Sequence, residues 1–208
     1  MIAKLTLWLV PKRGEDHNHR TALVTWLNKW GCRLAIQHLE ATSVAIHDRF
    51  KQVNADQLLV SRAVWELTDN DISNAARAYG LLKDKVVAQR DQGTRVSNRK
   101  IGPTAASKIL FALRPHALMP WDAAMRDDFD CYGSLKSYLK FQTEIRNIAW
   151  KIQDLCNING FDISELPAQI ERPDSTTLEI INEYIWIKVT KKCRLPDATI
   201  LKRWTEWK

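Results

Sequence analysis

Apolar residues return every three or four positions through most of this chain, in blocks separated by short polar turns. Residues at that spacing share one face of an α-helix, and that face needs a covering partner. The first block runs from His17 to Trp30, with Ala22, Leu23, Trp26, Leu27 and Trp30 on its stripe and Gly31 as a stop signal. A second runs from about Leu34 to Phe50 through Ile36, Leu39, Val44 and Ile46. Asp56 can cap a third, carrying Leu58, Leu59, Val64, Trp65 and Leu67. Asp69-Asn70-Asp71 reads as a turn and N-cap cluster opening a fourth, through Ala75, Ala78, Tyr79, Leu82 and Val86 to about Gln89. After Gly133-Ser134 a long stripe extends to about Cys156, including Leu135, Tyr138, Leu139, Ile145, Ile148, Ala149 and Ile152. Two closing helices are predicted, one through Leu178, Ile181, Tyr184, Ile185 and Ile187, and one from Pro196 onward. The polar, basic stretch Arg90 to Lys100 reads as a loop, and Pro167 to Ser175 as a linker. This is an all-α pattern of about ten helices with short connections, the signature of a compact multi-helix fold.

The 208 residues suit a single domain. Residues 1–15 form an N-terminal extension with Leu5, Leu7 and Leu9 alternating, and helices within 174–208 are expected to pack back on the core. The apolar start is too short to span a bilayer and is followed by Pro11, Lys12 and Arg13, so no membrane partner is expected. Cys32, Cys131, Cys156 and Cys193 lack the close spacing of a zinc or iron–sulfur site. Scattered thiols fit a reducing, cytoplasmic setting, with no metal and no cofactor. His17 and His19 beside Asp16 read as a solvated loop. The formal net charge of +7 favours an acidic partner such as nucleic acid. Asn182, Glu183, Tyr184 and Trp186 read as part of a helix packing on the core, with a pocket role as the alternative.

The most informative stretch is KIGPTAASKILFALRPHALMPWDAAMR, Lys100 to Arg126. Gly102 allows a tight turn and close approach of a phosphate. Pro103 suits the first turn of the helix that follows, whose free N–H groups favour an anion. Arg99, Lys100 and Lys108 surround that point with positive charge. Such a device positions a nucleic-acid backbone without reading its sequence. Asp122 is a good N-cap after Pro120-Trp121, and it is also a carboxylate able to face bound DNA.

This ordered set resembles the helix-hairpin-helix/Gly-Pro-Asp (HhH-GPD) superfamily of DNA glycosylases over about 27 residues. Gly102 fits the second hairpin glycine. Thr104 fits the position of the family's lysine or its replacement, Ala105 and Ala106 open the helix, and Pro120-Trp121-Asp122 fits the Pro-X-Asp element. Arg126 fits the basic residue common four positions later. Asp122 lies 18 positions after Thr104, the spacing of the family's endonuclease-type branch. The resemblance implies a glycosylase fold, DNA contacts through Arg99, Lys100, Ile101, Gly102, Thr104, Lys108 and Arg126, and Asp122 as the catalytic carboxylate. Breaking an N-glycosidic bond builds positive charge on the sugar, which a fixed carboxylate stabilises while it orients or deprotonates a water. Thr104 cannot form the imine of the bifunctional branch, so lyase chemistry is not expected. Trp121 is read either as a stacking partner for an extruded base or as a core side chain closing the loop.

Three functions compete on this reading. One is a monofunctional N-glycosylase excising a modified or mismatched base from DNA. Another is a DNA-binding protein that keeps the fold without the chemistry, in host–phage conflict or regulation. The last is a helical interaction protein whose basic charge is incidental.

Overall fold

The computed structural model describes residues 17–32, 34, 39–52, 62–91 and 96–194. The expected extension at 1–15, the block with Asp56, Leu58 and Leu59, and the final helix from Pro196 lie outside the described residues. Among the described residues the chain is mostly helical, with eight α-helices and one two-stranded antiparallel hairpin.

Helix α1 (His17–Lys29) packs against α2 (Leu39–Gln52). His17 and His19 therefore open a helix instead of lying in a loop. After α1 the Asn28 side chain holds Leu34 from both sides, accepting its N–H at 2.7 Å and donating to its carbonyl at 2.8 Å. A 3-10 turn (Val64–Glu66) leads into α3 (Asp69–Leu82). The N-cap of α3 is Thr68 and not the acidic cluster after it. The Thr68 hydroxyl accepts the Asp71 N–H at 3.2 Å, and the Asp71 carboxylate accepts the Thr68 N–H at 2.8 Å, a reciprocal capping box.

Helix α3 stops at Leu82 instead of running to about Gln89. Lys83 leaves the helical region and Asp84 adopts a left-handed backbone with φ +65°. Beyond it the β-branched pair Val86-Val87 favours extended chain. Strand β1 (Val86–Asp91) pairs with β2 (Val96–Lys100), so the stretch expected as a loop is largely a hairpin. The ladder continues past β2: Ile101 donates to the Lys85 carbonyl and accepts from the Asp84 N–H, both at 2.9 Å. Polar composition misled here because a two-stranded ribbon can be wet on both faces, and ladder hydrogen bonds leave no mark on side-chain type.

Helix α4 (Pro103–Leu113) is apolar nearly all round and correspondingly enclosed, with Ala105, Ala106, Ile109, Leu110 and Phe111 buried. A short segment then leads to α5 (Ala123–Asp128). The long helix α6 (Leu135–Ile158) begins where Ser134 accepts the Ser137 N–H at 3.0 Å. Its buried stripe of Tyr138, Phe141, Gln142, Ile145 and Ala149 faces the core. The expected linker holds α7 (Leu166–Gln169), with Pro167 buried in its first turn, after a 3-10 turn at Ile163–Glu165. Helix α8 (Thr177–Ile185) has a Thr176/Glu179 capping box and passes directly into a π-helical turn, Trp186–Thr190.

One continuous apolar cluster joins these elements, from Leu27 and Ile72 through Leu110 and Phe141 to Leu178 and Ile181. At its centre the Tyr79 and Tyr138 rings stack at 4.3 Å, and Trp121 meets both edge-on at 5.6 and 5.2 Å. No helix among the described residues is long and apolar enough to cross a membrane.

Candidate active site

The position of Asp122 follows from how the chain before it is clamped. Buried Gln142 on α6 accepts the Met119 N–H at 3.2 Å and donates to the Met119 carbonyl at 2.8 Å. Buried Ser107 on α4 accepts the Trp121 N–H at 3.2 Å and donates to the Thr104 carbonyl at 3.0 Å. The Trp121 indole N–H reaches the Pro103 carbonyl at 3.1 Å. An irregular segment with its polar groups bonded in this way can run through the interior without stranding them. Asp122 emerges from it as the N-cap of α5.

Both carboxylate oxygens of Asp122 are held. Oδ1 accepts the Met125 N–H at 2.8 Å, the ordinary capping bond. Oδ2 accepts the hydroxyl of Thr190 at 2.8 Å, from the end of the π-helical turn. Each oxygen keeps a second lone pair. Beside this group opens a cavity of about 400 Å³, lined by Lys29, Trp30, Lys108, Pro120, Trp121, Asp122, Met125, Asn182, Glu183 and Trp186. Its volume lies in the range of small-ligand pockets, roughly 300–1,000 Å³.

The structure divides the residues singled out in the sequence. Asp122, Lys108 and Trp121 border the cavity, whereas Lys100, Ile101, Gly102, Thr104 and Arg126 are not among its described lining residues. Lys108 bonds the Trp30 carbonyl and lies 5.3 Å from the Trp30 ring centroid. It thus serves first as a cation closing the C-terminal end of α1. Burial pushes the nearby Cys32 thiol up, and the Lys108 ammonium lowers it by less than burial raises it. The Arg126 guanidinium donates to the Thr104 hydroxyl at 2.8 Å and sits over Trp121 at 5.8 Å. Gly102 is the N-cap of α4 with an extended backbone (φ −78°, ψ 169°). The tight-turn role expected for it is therefore absent, although the space a side chain would occupy is open. Lys100 is exposed at the end of β2, and Arg99 precedes it on the same strand.

One expected DNA contact is corrected outright. Ile101 is fully buried with both backbone groups engaged in the ladder, so it has nothing to offer DNA. The stretch before Gly102, expected as a loop, ends in strand β2. Trp121 is 1% exposed and enclosed by Tyr79, Tyr138 and Phe141, which fits the core reading and leaves no free face for a base.

The cavity also gathers residues the sequence did not connect with Asp122. Trp30 enters from α1, braced by Trp26 at 4.6 Å and Phe111 at 5.6 Å. Asn182, Glu183 and Trp186 enter from α8 and the π-helical turn, and Thr190 reaches Asp122 from the same turn. Glu183 is engaged by Arg172 through two contacts, at 2.5 and 3.0 Å. The i, i+4 pairing of Asn182 with Trp186 was visible in the sequence, but nothing tied it to position 122. Among the described residues no cluster of His, Cys, Asp or Glu is placed to hold a metal ion. No protein-family model matches the chain, and comparisons with curated proteins and with solved structures likewise found no match.

Proposed function

We propose that this chain is a DNA N-glycosylase of the monofunctional kind, acting on a base turned out of the duplex into the cavity beside Asp122. The observation that carries the reading is a rigidly held carboxylate on the wall of an open pocket of about 400 Å³. In this mechanism the free lone pairs of Asp122 face the sugar. They stabilise the positive charge that grows as the N-glycosidic bond breaks, and they orient the attacking water. Two fixed hydrogen bonds spare the carboxylate any reorganisation during the reaction. The net charge of +7 supports attraction to a phosphate backbone. Position 104 is threonine and the Lys108 ammonium bonds the Trp30 carbonyl, so neither supplies the amine of an imine.

The test is base release from duplexes carrying a panel of modified and mismatched bases. Release should occur with wild type on at least one duplex and fall by about a hundredfold or more in Asp122→Asn. Undiminished release by that variant removes the mechanism.

A second reading, DNA binding without chemistry, is favoured by one observation. Both Asp122 oxygens, the Lys108 ammonium and the Arg126 guanidinium already have partners within the protein. Salt-dependent duplex binding with no base released from any member of the panel selects this reading.

A further inference from the structure

Nine tryptophans occur in the chain, and the one next to Asp122 is sealed in the core. Trp186 differs from it. Both border the cavity, but Trp186 is 40% exposed and has the Lys191 ammonium 4.7 Å from its ring centroid. A cation on an indole face anchors the ring while an accessible surface remains for a flat ligand. Asn182 stands four residues earlier, where α8 leads into the π-helical turn, and lines the same cavity. Residues at that spacing lie one above the other on a helix face. The Asn182 amide finds no hydrogen-bond partner among the described residues, although it is partly buried and its neighbour Glu183 is taken by Arg172. An amide presents one donor and one acceptor side by side, matching an adjacent acceptor and donor on a ring edge.

We infer that Trp186 and Asn182 form the recognition wall of this cavity: a nucleobase stacks on the Trp186 indole and presents an adjacent donor and acceptor to the Asn182 amide. The choice of a nucleobase as the ligand rests on the function proposed above. The division of labour follows from the chemistry. Stacking accepts any base, because every base has a π face, and so sets affinity. The amide discriminates, because a mismatched edge leaves its donor or acceptor unpaired. The π-helical turn also carries Thr190, so one short element supplies both the stacking surface and the second hydrogen bond to Asp122. Such turns are frequent at functional sites.

The experiment titrates deoxyadenosine, deoxyguanosine, deoxycytidine and thymidine into the full chain and into Trp186→Ala, Trp186→Phe and Asn182→Leu, each checked for native circular dichroism. Binding is read by NMR through the indole N–H signal that disappears in Trp186→Phe and by calorimetry. At least one nucleoside should bind wild type. Trp186→Ala should weaken it about tenfold or more, while Trp186→Phe, which keeps a stacking face, stays within about threefold. Asn182→Leu should retain binding but lose most of a preference of about tenfold among the four. The inference is overturned if no nucleoside binds wild type at millimolar concentration, or if neither Trp186→Ala nor Asn182→Leu changes the profile. Nucleoside binding through Trp186 without base release from any duplex leaves the recognition wall standing and removes excision. Asp122-dependent release that ignores Trp186→Ala does the reverse.

Discussion

The hydroxyl of Thr190 donates a 2.8 Å hydrogen bond to the Asp122 carboxylate, joining residues 68 positions apart in the chain. The other carboxylate oxygen accepts the Met125 N–H at 2.8 Å. Asp122 is thus fixed from two directions, locally by the helix it caps and remotely by the turn that ends α8. Its structural and functional roles can be separated by substitution.

Asparagine caps a helix about as well as aspartate. Asp122→Asn should therefore stay within about 1 kcal/mol of wild type in a urea melt, while base release is lost. Asp122→Ala removes the cap and leaves Thr190 without its acceptor, so it should cost about 1–2 kcal/mol. Thr190→Val should lower base release with a small stability change, and Thr190→Ser, which keeps the hydroxyl, should restore most of it.

Trp121 is a core residue, and its removal should read as such. Its ring fills the space between Tyr79, Tyr138 and Phe141, and its indole N–H bonds the Pro103 carbonyl. Trp121→Ala should cost about 3–5 kcal/mol, measured by thermal or urea unfolding. Trp186→Ala, at a half-exposed position, should cost less than about 1 kcal/mol. Equal costs would show that the two tryptophans have been assigned the wrong environments.

Gly133 has a left-handed backbone, φ +76°, and a Cβ there would come within 2.9 Å of the Pro103 ring. Its carbonyl also accepts the Tyr79 hydroxyl at 2.8 Å. Burial pushes that phenol well above its ordinary range, so it stays a neutral donor. Gly133→Ala should cost about 1–3 kcal/mol by urea denaturation. Adding Pro103→Ala, which removes Cγ but keeps Cβ at 3.1 Å, should recover only part of the steric cost and leave the backbone strain.

Asp71 supplies a pH dependence. Burial alone would push its carboxyl up, but the hydroxyl and N–H of Thr68, with Arg62 nearby, outweigh that and hold it below its ordinary 3.8. A carboxyl lowered in the folded state contributes stability above its unfolded value, and the contribution disappears as pH falls through the folded value. The stability gap between wild type and Asp71→Asn in urea should be full at neutral pH and shrink below about pH 4. A gap that widens on acidification would reverse the sign.

Much of the helical architecture was legible. The spacing of Leu135, Tyr138, Ile145 and Ala149 specified α6, and Ser134 stands at its start as the N-cap. Asp122 was identified as a cap from the sequence, and it is one. The end of α3 was missed because Val86 continues the helical spacing, while the left-handed turn at Asp84 is a backbone choice that no apolar stripe records. The hairpin was missed because its basic side chains carry no alternating apolar face to announce strands. Ile101, read as a DNA contact within a basic stretch, is instead buried in the core, as is Val87 of the ribbon.

Local chemistry, written in residue order, determined most of the helical segments and that a capping carboxylate would stand at position 122. Periodicity and capping act within one or two turns, so they can be read from neighbours alone. Only tertiary packing decided which tryptophan would be buried and which would stay exposed at the cavity, and that Thr190 and Asn182 would arrive beside Asp122. Those outcomes depend on how separate helices dock, and docking is settled by shape and burial between residues far apart in the chain.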